Sequence, residues 1–566
     1  VHPGPYERHR ELLHQAVRAV ATGERCAPFT QTTWRGAADA GMRSSRTAAK
    51  VFASLLGRPF DLGQPGELGR VATESSPYGL AMGIAYPRCD PAALVAAAGR
   101  ATAGWRVAGL HHRAGLVVEM LRRLNTRSHE LALAVHHTTG QPLPAAYRAA
   151  GPRAQDRALE AVAHAFAESE RVPLELRREE TRRRGQPLTV CGTSTLVPRG
   201  VSLLIGCPDY PLWNGYPGLF TSLVTGNPVI VAPHPRSVLP LAITVRIARE
   251  VLAEAGQDPD VVSLAVAEPD QRLHQRLAVE PAVRIVDFTG SGRFASWLRQ
   301  HAGQAAVFAT RTGLNTLIVD STDDYQGLLG GLALALCRCS GTARTTPQNI
   351  LVPASGFDTD EGPKSLRQFG ADLGEAVDRL LARPARVSRL LGALAGDEVP
   401  AAIEEAARYG TVVHASQPLS LPGHPVVDVR SPLIVRLGVR SERVYTREWP
   451  GPVVFLVGTE STAHSLALFR GTVGRHGALF AAVHSTDPLV LAAAETAAFD
   501  AGVHLVENVV DDLSADPSSF IADLPDAGAH FVTGRFRVLR SRHAATPTGA
   551  GADATLRRPA AALLDV

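Results

Sequence analysis

Apolar side chains recur every three or four positions through residues 10–20, 90–110, 113–137 and 154–167, which predicts helices over those stretches. Gly63-Gln64-Pro65-Gly66 and Pro77-Tyr78-Gly79 punctuate them. From Gly200 the pattern changes to short β-branched runs at 201–205, 228–231, 261–266 and 283–287, with helical periods at 239–255 and 271–278 between them. A second alternation follows, with strands expected at 316–319, 349–352, 411–414, 433–435, 453–457 and 478–483 and helices at 327–337 and 365–380. Strands alternating with helices predict parallel sheets with right-handed crossovers. The expected architecture is therefore two α/β lobes behind a helical N-terminal region. The run Arg177-Arg178-Glu179-Glu180-Thr181-Arg182-Arg183-Arg184 mixes signs and reads as a solvated helix end rather than a phosphate-binding patch. Residues 186–197 read as an extended excursion. A surface loop is expected at 418–425, and the small-residue tail 544–566 is expected to be loosely attached.

Composition narrows the class. A chain of 566 residues that is 45% hydrophobic and 20% charged is neither disordered nor a mini-scaffold. A formal charge of +4 is too small to argue for nucleic-acid or membrane partners. Of 58 cationic side chains only Lys50 and Lys364 are lysines, which removes most candidate amine chemistry. Six cysteines without CxxC spacing give neither a disulfide framework nor zinc ligands, so a reducing cytoplasm is the expected location. The opening Val1-His2-Pro3-Gly4-Pro5 lacks a signal-peptide core, and no run is long enough to cross a bilayer.

Several segments in order carry a more specific message. They are Ile205-Gly206-Cys207-Pro208-Asp209-Tyr210-Pro211-Leu212-Trp213-Asn214-Gly215-Tyr216-Pro217, then Gly226-Asn227-Pro228-Val229-Ile230-Val231-Ala232-Pro233-His234-Pro235, then Asp287-Phe288-Thr289-Gly290-Ser291. Later come Ser340-Gly341-Thr342-Ala343-Arg344-Thr345-Thr346-Pro347-Gln348-Asn349 and Glu448-Trp449-Pro450-Gly451-Pro452. This sequence resembles the aldehyde dehydrogenase superfamily, and within it the phenylacetate-degradation (PaaN-type) branch. Ser76-Pro77-Tyr78-Gly79, His137-Thr138-Thr139-Gly140-Gln141 and Arg535-Phe536-Arg537 echo the same branch, so the resemblance runs to about residue 543. It implies an aldehyde-dehydrogenase-like α/β fold. The implied plan is an N-terminal helical region (1–185) joined to a Rossmann-type nucleotide-binding domain (198–309), an oligomerisation hairpin (186–197), an α/β catalytic domain (310–502) and a C-terminal oligomerisation segment (503–543).

The family's chemistry is attack of a cysteine thiolate on an aldehyde, hydride transfer to NAD(P), and hydrolysis of the acyl thioester by a glutamate-activated water. By resemblance Asn214 is the oxyanion asparagine. Thr289, Gly290 and Ser291 face the nucleotide phosphates at a helix start, a place an ordinary N-cap would also occupy. Glu448 holds the nicotinamide ribose, and Pro452 closes its motif. The departures are equally specific. Relatives carry Gly-Gln-Met-Cys where this chain has Gly341-Thr342-Ala343-Arg344, so Arg344 occupies the nucleophile position, and a guanidinium has no lone pair with which to attack a carbonyl. Thr310 stands where the family has its general base. Ala232 replaces the lysine expected at the adenosine ribose, and Ala295 a usual glycine near the phosphates. NAD or NADP binding is thus expected to be weakened or lost. Cys339 and Cys207 are the remaining thiols near the motif, and both read as buried small hydrophobes. The pairs His111-His112 and His136-His137 read as solvated or core histidines, and His234 as part of a strand-to-helix turn.

Three functions follow from these residues. The first is an aldehyde-dehydrogenase-like oxidoreductase acting with NAD(P) on an aromatic- or acyl-derived aldehyde. The second is a repurposed cleft in which Arg344 clamps a carboxylate or polarises a carbonyl. The third is a catalytically inactive scaffold partner of an active relative. Each takes a small-molecule ligand or a protein of the same family, and a homo-oligomer (dimer or tetramer) is expected.

Overall fold

The computed structural model describes residues 3–24, 26–29, 38–172, 175–181, 187–343, 345–424, 427–510 and 538–540. Arg344, the segment 511–537 and the tail 541–566 lie outside the described residues. Two parallel-based sheets organise the chain. The first has five strands in the order Val262–Leu264, Val229–Ala232, Val201–Ile205, Val283–Gly290 and Ala306–Arg311, all parallel. Strand order therefore reverses between Val201–Ile205 and Val283–Gly290, where open α/β sheets carry their ligands. The second sheet has eight strands in the order Thr411–His414, Leu433–Gly438, Val453–Thr459, Asn349–Pro353, Thr316–Val319, Ala481–His484, Leu505–Glu507 and Val538–Arg540. Only its first pair is antiparallel.

The predicted α/β rhythm is present in both lobes. Strands such as Val201–Ile205 and Thr316–Val319 are buried along their whole length, which is why they read as unbroken apolar runs rather than alternating ones. The N-terminal helices Pro91–Val107, Leu110–Thr126 and Pro152–Glu170 share a core with Pro211–Val224 and Leu239–Glu254 of the first lobe, through Trp105, Phe166, Tyr216, Phe220 and Leu252. Trp105 is fully buried there, and its indole N–H donates to the Leu223 carbonyl at 3.0 Å, so its area is buried without leaving a polar atom unpaired.

Two expectations change. The helix expected over 113–137 is two helices, Leu110–Thr126 and Ser128–Thr139, with Arg127 non-helical between them (φ −103°, ψ 14°). Thr126 Oγ1 donates to the Arg123 carbonyl and Ser128 Oγ to the Asn125 carbonyl, both at 2.7 Å, so side-chain hydroxyls occupy acceptors at the break. The charged run is not a helix end. Residues Glu175–Thr181 form a strand paired antiparallel with Pro187–Thr193, with Arg178 opposite Val190 and Glu180 opposite Leu188. The excursion at 186–197 thus supplies the second strand of a hairpin whose first strand is the charged segment. Mixed-sign runs suit a solvated strand as well as a solvated helix, and the partner that decides lies ten residues further on. No helix among the described residues is long and apolar enough to cross a membrane.

Candidate functional site

The strand-order reversal brings two βα turns together. After Val201–Ile205 the chain passes through Gly206, where a Cβ would stand 2.9 Å from Leu241 Cδ1 and 3.2 Å from Pro233 Cα. Glycine there lets this turn pack against the neighbouring one. The helix Pro211–Val224 follows, with Asn214 in its first turn. Asn214 Nδ2 donates to Cys207 Sγ at 3.0 Å, which ties the oxyanion candidate to the turn behind it. On the other side Thr289 and Gly290 remain in the strand Val283–Gly290, three residues longer than the periodicity needs, because Phe288, Thr289 and Gly290 pair with Ala309, Thr310 and Arg311. Ser291 is the N-cap of the helix Gly292–His301, its Oγ accepting from the Phe294 N–H at 3.4 Å. Ala295 is fully buried on the core side of that helix, so its methyl does not intrude on the open face.

Thr310 is half-buried on the strand Ala306–Arg311, opposite Thr289. The exposed Glu448 accepts from the Thr312 hydroxyl at 2.9 Å and has its Oε1 3.9 Å from where a Cβ on Gly292 would be. Thr289–Ser291, Thr310 and Glu448 are thereby grouped along one edge of the first sheet. Pro452 lies elsewhere, under the segment that precedes Arg344. Gly341 (φ +74°) sits on it so closely that a Cβ would be 2.6 Å from Pro452 Cα. The next residues open into a cavity of about 70 Å³.

That cavity is lined by Gln141, Arg148, Arg153, Tyr210, Trp213 and Arg338, together with Cys339, Ala343 and Thr345 and the small residues Ala145 and Ala149. Four helix ends and one turn supply these groups. Arg148 ends Leu143–Ala150, Arg153 begins Pro152–Glu170, Trp213 begins Pro211–Val224, and Arg338 and Cys339 follow Tyr325–Cys337. Cys339 and Ser340 both hold left-handed backbone (φ 49° and 52°), a conformation costing roughly 1–2 kcal/mol per non-glycine residue. Ser340 Oγ holds it there by donating to the Gly392 carbonyl at 2.7 Å and accepting from the Gly392 N–H at 3.0 Å.

Charges deeper in the protein frame this region. Arg157 lies over the Trp213 ring, 5.1 Å from its centroid. Burial pushes Asp287 up to about 7, with Arg157 opposing. Burial also raises the Cys339 thiol, against the pull of the Tyr210 hydroxyl and of the Arg338 and Arg148 charges. Cys339 therefore faces the ligand space without the lowered pKa of an activated nucleophile. Cys207 is buried and does not line the cavity. His234 Nδ1 accepts from the Arg236 N–H at 3.2 Å, and burial depresses it to about 4, which fits a turn role. His136 pairs with the Gln141 carbonyl and His137 with Ser76, yet the adjacent rings meet edge to face with centroids 4.8 Å apart, as core histidines around Tyr78 rather than the diverging pair that helical spacing suggests.

Sequence reasoning missed Arg148, Arg153 and Arg338. Helical periodicity marks them as polar positions and nothing more, since only the fold brings three helix ends to one cavity. Gln141 and Trp213 stood inside quoted motifs without an assigned role.

Comparison with known proteins places this geometry. A crystal structure of an NAD-dependent aldehyde dehydrogenase from Burkholderia multivorans is similar with a TM-score of 0.87 and 42% identity, over 90% of this chain and 91% of that one. A 1-pyrroline-5-carboxylate dehydrogenase from Thermus with bound NAD shares the fold at a TM-score of 0.65 and 18% identity, over 84% of this chain and 90% of that one. An N-succinylglutamate 5-semialdehyde dehydrogenase of Burkholderia lata is 25% identical over 270 residues, 46% of this chain and 51% of that protein. The chain spans about half the length of the curated relatives it matches. The sequence model of the aldehyde dehydrogenase family matches residues 85–503, and the chain belongs to that family.

Proposed function

We propose that this protein is an aldehyde-dehydrogenase-like oxidoreductase of the PaaN type, binding NAD or NADP at the strand-order reversal and a small aromatic- or acyl-derived carbonyl compound in the cavity, with turnover that does not pass through an enzyme thioester. One observation carries the reading. Ala343 and Thr345, on either side of the nucleophile position, line the same cavity as Trp213, while the residue between them is arginine. The substrate space of the family is kept and its covalent step is removed.

The residues partly fit the nucleotide. The Ser291 turn offers backbone N–H groups to phosphates at a helix start, and Glu448, steadied by Thr312, offers a carboxylate to ribose hydroxyls. Ala232 is fully buried and supplies no ammonium for the second ribose. NAD(P), when bound, supplies a hydride acceptor. Asn214 Nδ2 carries two N–H donors, and the bond from one of them to Cys207 Sγ fixes the amide that is the proposed donor to a carbonyl oxygen. Thr310 has no means of activating water.

Calorimetric titration with NAD and with NADP tests the reading. Micromolar binding of either supports it, and no binding of both overturns it. Arg344→Cys combined with Thr310→Glu should restore nucleotide reduction by an aldehyde. Non-covalent chemistry with Arg344 as a carboxylate or carbonyl clamp is a second reading, favoured by the three further arginines around the cavity. The hairpin Glu175–Thr181/Pro187–Thr193 and the segment 503–543 are the proposed contacts of a homo-oligomer. Light scattering on the wild type and on a chain lacking the hairpin tests that assignment.

A further inference from the structure

Two motifs that the carbonyl and nucleotide chemistry leaves without a role, Ser76-Pro77-Tyr78-Gly79 and His137-Thr138-Thr139-Gly140-Gln141, meet in the structure at the buried Tyr78. The Tyr78 hydroxyl donates to the Gly140 carbonyl at 2.9 Å, has the Gln141 carbonyl at 3.2 Å, and accepts from the Ala393 N–H at 3.4 Å. The His136 ring stacks on the phenol with centroids 3.9 Å apart, and the His424 ring meets its edge at 5.1 Å. His136 Nδ1 donates to the Gln141 carbonyl at 2.7 Å, which fixes the backbone of a residue in the cavity wall.

Beyond Tyr78 two backbones touch directly. A Cβ on Gly392 would stand 2.0 Å from the Gly140 carbonyl oxygen, so the two segments come closer than any side chain allows. Gly392 in turn holds Ser340 through both of its backbone polar groups. Cys339 and Ser340 are consecutive non-glycine residues in the left-handed region, at φ 49° and 52°. Such conformations persist only where the surroundings impose them, and they gather at functional sites. Ala343 and Thr345 follow and line the same cavity as Gln141.

We infer that Tyr78 and Ser340 are positioning residues that fix two walls of the cavity against each other. Tyr78 draws the backbone of Gly140 and Gln141 to that of Ala393. Ser340 carries this setting, through Gly392, to the turn that leads to Ala343 and Thr345. Their hydroxyls tie three separate segments by backbone groups, which filling volume alone does not do. Phenylalanine would fill the place of Tyr78, and alanine nearly that of Ser340, so two oxygen atoms decide the matter. The proposed function enters only in treating the cavity as substrate space.

Cys339 reports on the turn. It is buried beside Ser340, whereas Cys191 is exposed and Cys337, at the end of the preceding helix, is fully buried. Alkylation of the full chain by iodoacetamide without nucleotide, read thiol by thiol by mass spectrometry, gives the rate at Cys339 relative to Cys191. Tyr78→Phe and Ser340→Ala should each raise that ratio about 10-fold or more while Cys337 stays protected, because local opening costs less once the hydroxyl bonds are gone. Ser340→Gly loses the same hydroxyl but takes the left-handed region without strain, and should stay within about 3-fold of wild type. An unchanged ratio in Tyr78→Phe or Ser340→Ala overturns the proposal. So does Cys337 rising together with Cys339, which is general loosening, or Ser340→Gly rising as far as Ser340→Ala. Should Ser340→Ala not fold, Tyr78→Phe, which keeps the ring, and Ser340→Gly carry the test. The nucleotide titration separates this inference from the proposed function. Labelling as expected in a chain that binds no NAD(P) leaves the positioning residues standing and removes the redox reading, and NAD(P) binding with unchanged labelling does the reverse.

Discussion

The two clefts of this protein are built on different principles. On the nucleotide side the described polar groups satisfy one another. Ser291 caps its own helix, Thr312 donates to Glu448, and the His274 ring pairs with the Pro233 carbonyl. In the wall of the arginine-lined cavity Trp213 Nε1 and Gln141 Oε1 are buried without a hydrogen-bond partner among the described residues. A cleft whose groups pair internally is stable empty, and a ligand must compete with the protein for each contact. A wall with orphaned groups is less stable than a paired one. Ala232, fully buried, stands at the end of the strand Val229–Ala232, while three arginines stand around the cavity.

The largest effect expected from breaking this contrast comes at Gly140, which supports Gln141. Its φ is +76°, and a Cβ would stand 2.2 Å from the Ala393 carbonyl oxygen. Gly140→Ala should cost about 4 kcal/mol from strain and overpacking together, and should raise the labelling of Cys339 while leaving nucleotide affinity unchanged. Melting temperature, the labelling and the nucleotide titration check this.

The next effect is a pH dependence on the nucleotide lobe. Glu74 accepts from the Val238 and Leu239 N–H groups, the latter at 2.8 Å, and from the Tyr86 hydroxyl, yet burial pushes it up to about 7. A carboxyl whose folded pKa exceeds its unfolded value near 4.5 binds more protons in the folded state across that interval. Stability is then greatest at low pH and falls as pH rises from about 4.5 to about 7, by roughly 2–3 kcal/mol. Asp287, also raised to about 7, adds to the same slope from the wall behind Trp213. Melting curves between pH 5 and 8 should show wild type losing stability with a slope that Glu74→Gln flattens. An equal slope in the variant would remove Glu74 as its source.

The smallest effect sharpens the nucleotide side. Ser291→Ala removes the cap of Gly292–His301 and should cost about 1 kcal/mol, with little change in the labelling of Cys339. A rise in labelling there would mean that the two clefts are coupled.

Much of the first lobe was legible in the chain. The strand Val201–Ile205 and the helix Leu239–Glu254 appear within a residue of where periodicity puts them, because full burial on a parallel sheet leaves a continuous apolar signature. The hairpin was not legible. Local charge pattern is the same for a solvated helix and a solvated strand, and only the pairing of Glu175–Thr181 with Pro187–Thr193 decides. The break at Arg127 was hidden for a related reason, since two packed helices in series keep one apolar period.

By itself the sequence determined the α/β fold and the family, because the motif residues that carry the resemblance are local facts. Tertiary structure alone decided which side chains share a cavity. Arg148, Arg153 and Arg338 lie on three different elements, and their common field exists only once the ends of those elements meet around Trp213 and Gln141. Electrostatic potential sums over distance in space and not along the chain, so no spacing in the sequence could have announced it.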